Sequence, residues 1–228
     1  MHTISKIQND VANLMNQASG HGFDHIERVY HLAIKLADQE NADRETVALA
    51  ALLHDVDDYK FVGKEKASLL SNARQIMKKY QISEETQTKV CEIILTMGYS
   101  NCLKGIRPKT KEGAIVSDAD MLDAMGALGI VRTFEYQLSK PNGVIFDPTV
   151  FPVENMSSDA YQTKSDGREP AVNHFFDKLL KLKDLMMTDA AKKEAQHRHL
   201  FMVLFLKELF MEHNQKAWLD YLDAYLKK

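Results

Sequence analysis

Apolar residues recur at intervals of three and four positions along most of the chain. Near the start this spacing places Ile4, Ile7, Val11 and Leu14 on one face, and the same period resumes from Ile26. It is the period of an amphipathic α-helix, whereas the two-residue alternation of a half-buried strand is hardly seen. The pattern therefore predicts an all-α protein.

The segment ETVALAALLHD (residues 45–55) is almost wholly apolar before its final histidine and aspartate. A helix without a polar face is expected to be buried on all sides. Further helices are predicted over residues 64–80, 83–99, 115–138, 174–186 and 188–213. Residues 139–173 carry four of the five prolines and no clear period, so we expect a long irregular segment there, either a lid or a plain surface loop.

The chain has 228 residues, 45% of them hydrophobic, which suffices for one sizeable core. We expect a single-domain helical bundle with a core over about residues 19–135, the irregular segment 139–173, and C-terminal helices over residues 174–228 that pack onto the core. The formal charge of -3 gives no field of the kind that marks proteins of nucleic acids or membrane surfaces. No apolar run reaches the ~20 residues that span a bilayer. A cytoplasmic protein without nucleic-acid or membrane partners is the expectation.

An adjacent pair, His54 and Asp55, closes the apolar segment. A charged aspartate is rarely buried unless it is paired or coordinates a metal, so the pair is either part of a metal site or a hydrogen-bonded helix end. Two further features favour the metal: His25, just after the glycine-rich break SGHGFD, and an acidic cluster on a later helix. The cluster consists of Asp118, Asp120 and Asp123. Two imidazoles and two carboxylates from three helices would enclose one divalent cation and leave positions for water and substrate oxygens.

Three short elements carry a family resemblance: His25-x-x-Arg28-Val29, Leu52-Leu53-His54-Asp55, and Asp118-Ala119-Asp120. They are similar to the ordered signature of the HD-domain superfamily, in which a histidine, a His-Asp pair and a distant aspartate bind a metal. The resemblance implies an HD-type helical bundle. It also implies four metal ligands: His25, His54, Asp55 and Asp120.

The resemblance extends over five longer blocks: GHGFDHIERV, AALLHDVDDYKF, DADMLDAMGALGIVR, HFFDKLLKLKDLM and RHLFM. From about residue 19 to about residue 212, these are similar to the bacterial YpgQ/YedJ-like branch of the superfamily. The resemblance implies a metal-dependent phosphohydrolase that converts a (deoxy)nucleoside triphosphate into a monophosphate and pyrophosphate. Alternatives within the superfamily are a 5′-nucleotidase or another phosphatase or phosphodiesterase, and a non-catalytic nucleotide sensor. The mild negative charge argues against a nuclease.

The positions of the histidines bear on how many metal ions the site would hold. Relatives with two metal ions have extra histidines between the His-Asp pair and the last aspartate, and no histidine lies between Asp55 and Asp120 here. We therefore expect one ion. Nitrogen and oxygen donors without a thiolate suit manganese, cobalt, nickel or iron, and magnesium less well. Manganese is the metal we favour.

Asp58 is the expected catalytic residue. It lies three residues after Asp55, so a continuing helical turn would put it on the same face, where it could orient or deprotonate water. The alternative is a helix cap or a solvated charge.

Contacts to a nucleotide substrate are expected from five side chains: His21, Arg28, Lys60, Lys104 and Asp123. Arg28 could grip a phosphate through two hydrogen bonds, or form an ion pair with Asp55 or Asp24 instead. The lysines could bind outer phosphates or be ordinary solvated surface. The oligomeric state is left open.

Overall fold

The computed structural model describes residues 2–15, 22–152 and 169–227. Within these ranges every regular element is helical, so the all-α prediction is confirmed. The first helices are α1 (His2–Met15), α2 (Phe23–Glu40), α3 (Arg44–Leu53), α4 (Tyr59–Val62), α5 (Lys64–Leu69), α6 (Ser71–Lys79), α7 (Glu84–Thr96), α8 (Tyr99–Leu103) and α9 (Lys111–Asp123). They are followed by α10 (Gly126–Leu138), α11 (Ala171–Asp177), a 3₁₀ segment (Leu179–Leu185), α12 (Asp189–Glu212) and α13 (Lys216–Tyr225). No described helix is both long enough and apolar enough to cross a bilayer.

The chain divides into two compact units. The first comprises Met1–Asp123 with Met187–Ala191, and the second comprises Ala124–Met186 with Lys192–Lys228. The expected single-domain organisation therefore stays a prediction.

The first unit is built around α3, in which residues 46–53 are all buried, as its apolar sequence predicts. This helix packs against α1, α2, α7 and α9, and α2 also packs against α9. Asp43 caps its N-terminus, because its carboxylate accepts hydrogen bonds from the Glu45 amide at 3.0 Å and from the Thr46 hydroxyl at 2.6 Å. Three mutually packed helices, α2, α3 and α9, thus position the histidines and aspartates of the predicted site, with His54 and Asp55 directly after α3.

Two of the predicted helices are interrupted at positions that hold neither glycine nor proline. The helix predicted over residues 64–80 is divided at Leu70, which adopts a left-handed conformation with φ 50°. The helix predicted over residues 174–186 begins earlier, at Ala171, and ends at Asp177, before the 3₁₀ segment. A signal for that change is the apolar spacing, because Leu179, Leu182 and Leu185 recur every three residues, the period of a 3₁₀-helix.

The helix predicted over residues 115–138 is two helices, α9 and α10. The chain turns at Gly126, whose φ of 72° lies in the left-handed region that favours glycine. Gly129 approaches the preceding turn so closely that a Cβ there would lie 2.2 Å from the carbonyl oxygen of Ala124. These two glycines therefore end the acid-bearing helix at Asp123.

The second unit has an aromatic core centred on Trp218 of α13. The indole is fully buried, stacks on Phe151 with the ring centroids 4.4 Å apart, and donates from Nε1 to the Pro148 carbonyl at 3.0 Å. Phe146 and Phe210 contact the same ring. Residues 139–152 are irregular, as predicted, and Phe146, Pro148 and Phe151 of this segment contact the Trp218 ring. Residues 153–168 of the predicted lid or loop lie outside the described residues, and residues 171–173, predicted to be irregular, belong to α11.

Candidate metal centre

Three helices position the predicted ligands. His25 lies in the first turn of α2 and is buried, His54 directly follows the last residue of α3, and Asp55 comes next in the turn. Asp120 lies in the last turn of α9. Because α2, α3 and α9 pack on one another, residues 95 positions apart in sequence meet at one place.

The donor atoms of these residues converge. Nε2 of His25 lies 3.3 Å from Nε2 of His54 and 3.4 Å from Oδ1 of Asp120. Oδ2 of Asp55 lies 3.6 Å from the first of these nitrogens and 3.5 Å from the second. Two ligands held about 2.1 Å from one cation at angles of about 90 to 110° lie roughly 3.0 to 3.4 Å apart. The spacing is therefore that of ligands around a single ion.

The chemistry of the donors also fits a divalent cation. His25, His54 and Asp120 each offer an atom within 4.8 Å of the others, and Asp55 adds a second carboxylate beside both imidazoles. Nitrogen and oxygen donors of this kind suit first-row transition metals. The structure thus brings together all four predicted ligands, with Asp55 at the edge of the group of three.

His54 is held in the orientation that a ligand requires. Its Nδ1 lies 2.8 Å from the carbonyl oxygen of Ala51, one turn earlier. Because a carbonyl can only accept, Nδ1 must carry the proton, and Nε2 presents its lone pair to the centre.

The charge around His25 shows what the site attracts. Burial by itself lowers the pKa of this imidazole, but hydrogen bonds to Asp120 and Asp123 and the charge of Asp55 outweigh it and raise the pKa to about 9. The same carboxylates that favour a proton there favour a metal cation, which competes with protons for these ligands.

Asp58 lies close in the chain to the ligands. Its amide donates to the Asp55 carbonyl at 3.1 Å, so the turn after α3 continues as expected. The carbonyl of Asp58 in turn accepts from the Val62 amide, at the start of α4. Neighbouring Asp57 points elsewhere: it is buried and its carboxylate accepts from the amides of Asn72 and Ala73 at 2.9 and 2.8 Å, which caps α6.

Two predicted substrate contacts, Arg28 and Asp123, are joined to each other. The guanidinium donates from Nε to Oδ1 of Asp123 at 2.8 Å and from a terminal nitrogen to Oδ2 at 3.0 Å. Nδ1 of His25 lies 2.7 Å from the same Oδ2. The ion pair considered for Arg28 therefore exists with Asp123, not with Asp55 or Asp24 as the alternative had it. The Asp123 side chain is 3% exposed and that of Arg28 34%, so only the arginine is within reach of a ligand in solvent.

The other three predicted substrate contacts are Lys104, Lys60 and His21. Lys104 is exposed and follows α8, where its amide donates to the Asn101 carbonyl at 2.9 Å. The backbone of Lys60 belongs to α4, and His21 lies outside the described residues. Their roles stay predictions.

Two further features lie near Asp120, the carboxylate of Asp118 and the glycine at position 98. Asp118 is fully buried, and its carboxylate accepts from the amides of Met187 and Thr188 and from the Thr188 hydroxyl, at 2.8 to 3.1 Å, just before α12. It is a helix cap. Gly98, between α7 and α8, lies so near the site that a Cβ on it would come 3.8 Å from Asp120 Oδ2. The φ of Gly98 is 87°, a left-handed conformation that favours glycine. The sequence alone does not reveal this backbone angle.

Comparison with known proteins agrees with this geometry. Residues 22–125 match the family model of the HD domain. The protein YpgQ of Bacillus subtilis (strain 168) is 34% identical over 197 residues, which cover 86% of each chain. A solved HD-superfamily hydrolase from Bacillus thuringiensis is 36% identical, with a TM-score of 0.74 over 94% of this chain and 98% of the other.

The structure of Bacillus subtilis YpgQ has been solved in complex with ADP. It matches with a TM-score of 0.70 and 31% identity, over 92% of this chain and 95% of the other. The chain described here belongs to the HD-domain superfamily, as its three signature elements predict. It is a metal-dependent hydrolase of that superfamily.

Proposed function

We propose that the protein is a phosphohydrolase that uses one divalent metal ion, preferably manganese, to split a (deoxy)nucleoside triphosphate into a monophosphate and pyrophosphate. The observation that carries the proposal is the convergence of His25, His54 and Asp120, with Asp55 beside them, within ligand distance of one another. The ADP in the Bacillus subtilis relative supports a nucleotide as the ligand class.

Four residues hold the ion in this proposal: His25, His54, Asp55 and Asp120. A divalent cation at such a site lowers the pKa of a bound water and polarises a phosphoryl oxygen. Four protein donors would leave coordination positions for oxygen atoms of the substrate and of solvent.

Asp58 accepts a proton in the chemical step. The oxygen of a water molecule forms a bond to the phosphorus of the first phosphate, and the bond from that phosphorus to the oxygen of the departing pyrophosphate breaks. The proton of the water passes to the Asp58 carboxylate and then to solvent. The continuous turn from Asp55 to Asp58 supports this role, because it ties the base to a ligand by one backbone hydrogen bond.

Cationic side chains bind the phosphates that do not react. The exposed part of the Arg28 guanidinium, Lys60, Lys104 and His21 are the groups we assign to this task. Loss of Lys60, Lys104 or His21 should raise KM more than it lowers kcat, because these groups contact parts of the substrate that do not change in the reaction.

Product analysis tests the proposal. Metal-stripped protein is supplied with Mn²⁺ and a panel of nucleoside mono- and triphosphates, and products are separated by ion-exchange chromatography. We expect monophosphate and pyrophosphate in equal amounts, only with metal, and neither in His54→Ala or Asp58→Ala. His197→Ala and Asp38→Ala, at exposed positions, are matched controls that should keep full activity. Release of inorganic phosphate instead would indicate another phosphatase, and tight nucleotide binding without turnover would indicate a sensor.

A further inference from the structure

One buried carboxylate joins a predicted ligand to a cation. Asp123 lies at the end of α9 with its side chain 3% exposed. Its Oδ2 is 2.7 Å from Nδ1 of His25 and also accepts from a terminal nitrogen of Arg28 at 3.0 Å, while Oδ1 accepts from Arg28 Nε at 2.8 Å. A buried carboxylate of this kind is costly unless it is paired, and here one side chain pairs both of its oxygens.

The hydrogen bonds of Asp123 determine which ring nitrogen of His25 carries a proton. Arg28 cannot give up its proton, so both carboxylate oxygens face donors and Asp123 stays ionised and fixed in orientation. An ionised carboxylate only accepts, so the nitrogen of His25 that faces it must carry a proton. The opposite nitrogen, Nε2, is then the one that faces His54, Asp55 and Asp120 at 3.3 to 3.6 Å.

We propose that Asp123, held by Arg28, is the positioning residue that fixes the His25 proton on Nδ1 and aims Nε2 at the metal. The inference rests on the proposed role of His25 as a metal ligand, and it gives Asp123 a task other than the substrate contact predicted from the sequence. Histidine ligands are commonly oriented by such a partner, and its removal typically costs about 10- to 100-fold in metal affinity. His54 uses a backbone carbonyl for the same purpose, which no side-chain substitution removes.

Cobalt(II) is the probe for the test, because it reports both affinity and ligand protons. In Co²⁺-loaded protein, the Nδ1 protons of bound histidines give exchangeable NMR signals shifted by the metal, and we expect two such signals, from His25 and His54. Asp123→Asn should weaken Co²⁺ binding by about 10- to 100-fold and abolish one of the two signals. The asparagine side chain has only one oxygen. Its NH₂ group must face either the Arg28 guanidinium or the protonated Nδ1 of His25, and in both cases two donors face each other.

Arg28→Lys is the second variant and keeps the inference testable if Asp123→Asn does not fold. Lysine retains the charge but cannot donate to both oxygens, so we expect an intermediate loss of affinity and a faster exchange of the same signal. Asp57→Asn is the matched control. It replaces one carboxylate oxygen of Asp57, another buried aspartate of the first unit, with an amide nitrogen that cannot accept a hydrogen bond. The change should lower the free energy of unfolding and leave the Co²⁺ dissociation constant and both NMR signals unchanged.

The results separate the two levels of inference. If wild-type protein binds one Co²⁺ and both Asp123→Asn and Arg28→Lys bind it within twofold, with both signals intact, the positioning role is overturned while the proposed function stands. If wild-type protein binds no Co²⁺, the proposed function fails and the positioning role fails with it. A loss of affinity of the same size in Asp57→Asn would mean that general destabilisation, not the orientation of His25, is the cause.

Discussion

The first unit has two acidic runs, residues 55–58 after α3 and residues 118–123 on α9. The aspartates of the two runs have similar surroundings. In each run one aspartate faces the two imidazoles, Asp55 in the first and Asp120 in the second. In each run another is buried and caps a distant helix, Asp57 on α6 and Asp118 before α12. In both runs the aspartate that faces the imidazoles and the buried aspartate are two residues apart.

The third member is where the runs differ. Asp123 is buried and bound to His25 and Arg28, whereas Asp58 is only partly buried and follows the turn that closes α3. A carboxylate fixed by an arginine can orient a ligand, and a carboxylate with access to solvent can exchange protons. The environment of each aspartate, and not its residue type, therefore determines what its carboxylate can do.

The largest effect is expected from the two aspartates that face the imidazoles. Asp120→Ala and Asp55→Ala should each lower activity by about three orders of magnitude or more, because each removes a ligand and a negative charge from the metal centre. Activity at saturating Mn²⁺ and the number of ions bound per chain measure this. Since Asp120 belongs to the compact group with both histidines and Asp55 lies at its edge, we expect the greater loss of binding from Asp120→Ala. Equal metal binding by Asp120→Ala and wild type would remove Asp120 from the ligand set.

Asp58→Asn should show the next largest effect. Loss of a general base lowers kcat by about 10²- to 10⁴-fold, while Mn²⁺ binding should stay within a few fold of wild type because Asp58 is not a ligand. Steady-state kinetics and Mn²⁺ titration on the same sample separate these effects. An Asn variant that keeps full kcat would reduce Asp58 to a helix cap, as one interpretation of the sequence held.

The sequence predicted which residues meet at the candidate metal centre, but not the partners of the neighbouring aspartates. His54 and Asp55 stand out because they end an apolar helix, and the order of His25, the His-Asp pair and Asp120 is a family signature. The partners of Asp57 and Asp118 could not be predicted, since the amides they cap lie 15 to 16 and 69 to 70 positions away. The bond between Arg28 and Asp123 spans 95 positions and depends on α2 packing on α9.

The two buried caps should affect stability without direct effect on chemistry. Asp118→Ala leaves the Met187 and Thr188 amides and the Thr188 hydroxyl without their acceptor, and we expect a loss of about 2 to 3 kcal/mol in the free energy of unfolding. Asp57→Ala removes the acceptor of two amides and should cost about 2 kcal/mol. Urea unfolding of metal-free protein measures both, with the exposed Asp184→Ala as the control expected within about 0.5 kcal/mol of wild type. A cost near zero for Asp118→Ala would contradict its role as a cap.

The smallest effect concerns Asp43, the exposed cap of α3, and it distinguishes a cap in solvent from the two buried ones. Asp43→Ala should lower the free energy of unfolding by about 1 kcal/mol, because water can replace part of the hydrogen bonding that the carboxylate offers to Glu45 and Thr46. A hydrogen bond from the Thr46 hydroxyl, helped by the amides of Glu45 and Thr46, holds the pKa of Asp43 below its usual value. The folded pKa is therefore lower than the unfolded one of about 3.9, so the carboxylate contributes its stability above about pH 4 and loses it as the pH falls through the folded pKa. Unfolding at pH 7 and at pH 3 should show a gap between wild type and Asp43→Ala that narrows in acid, and a gap that widens there would show that the charge of Asp43 does not stabilise the helix.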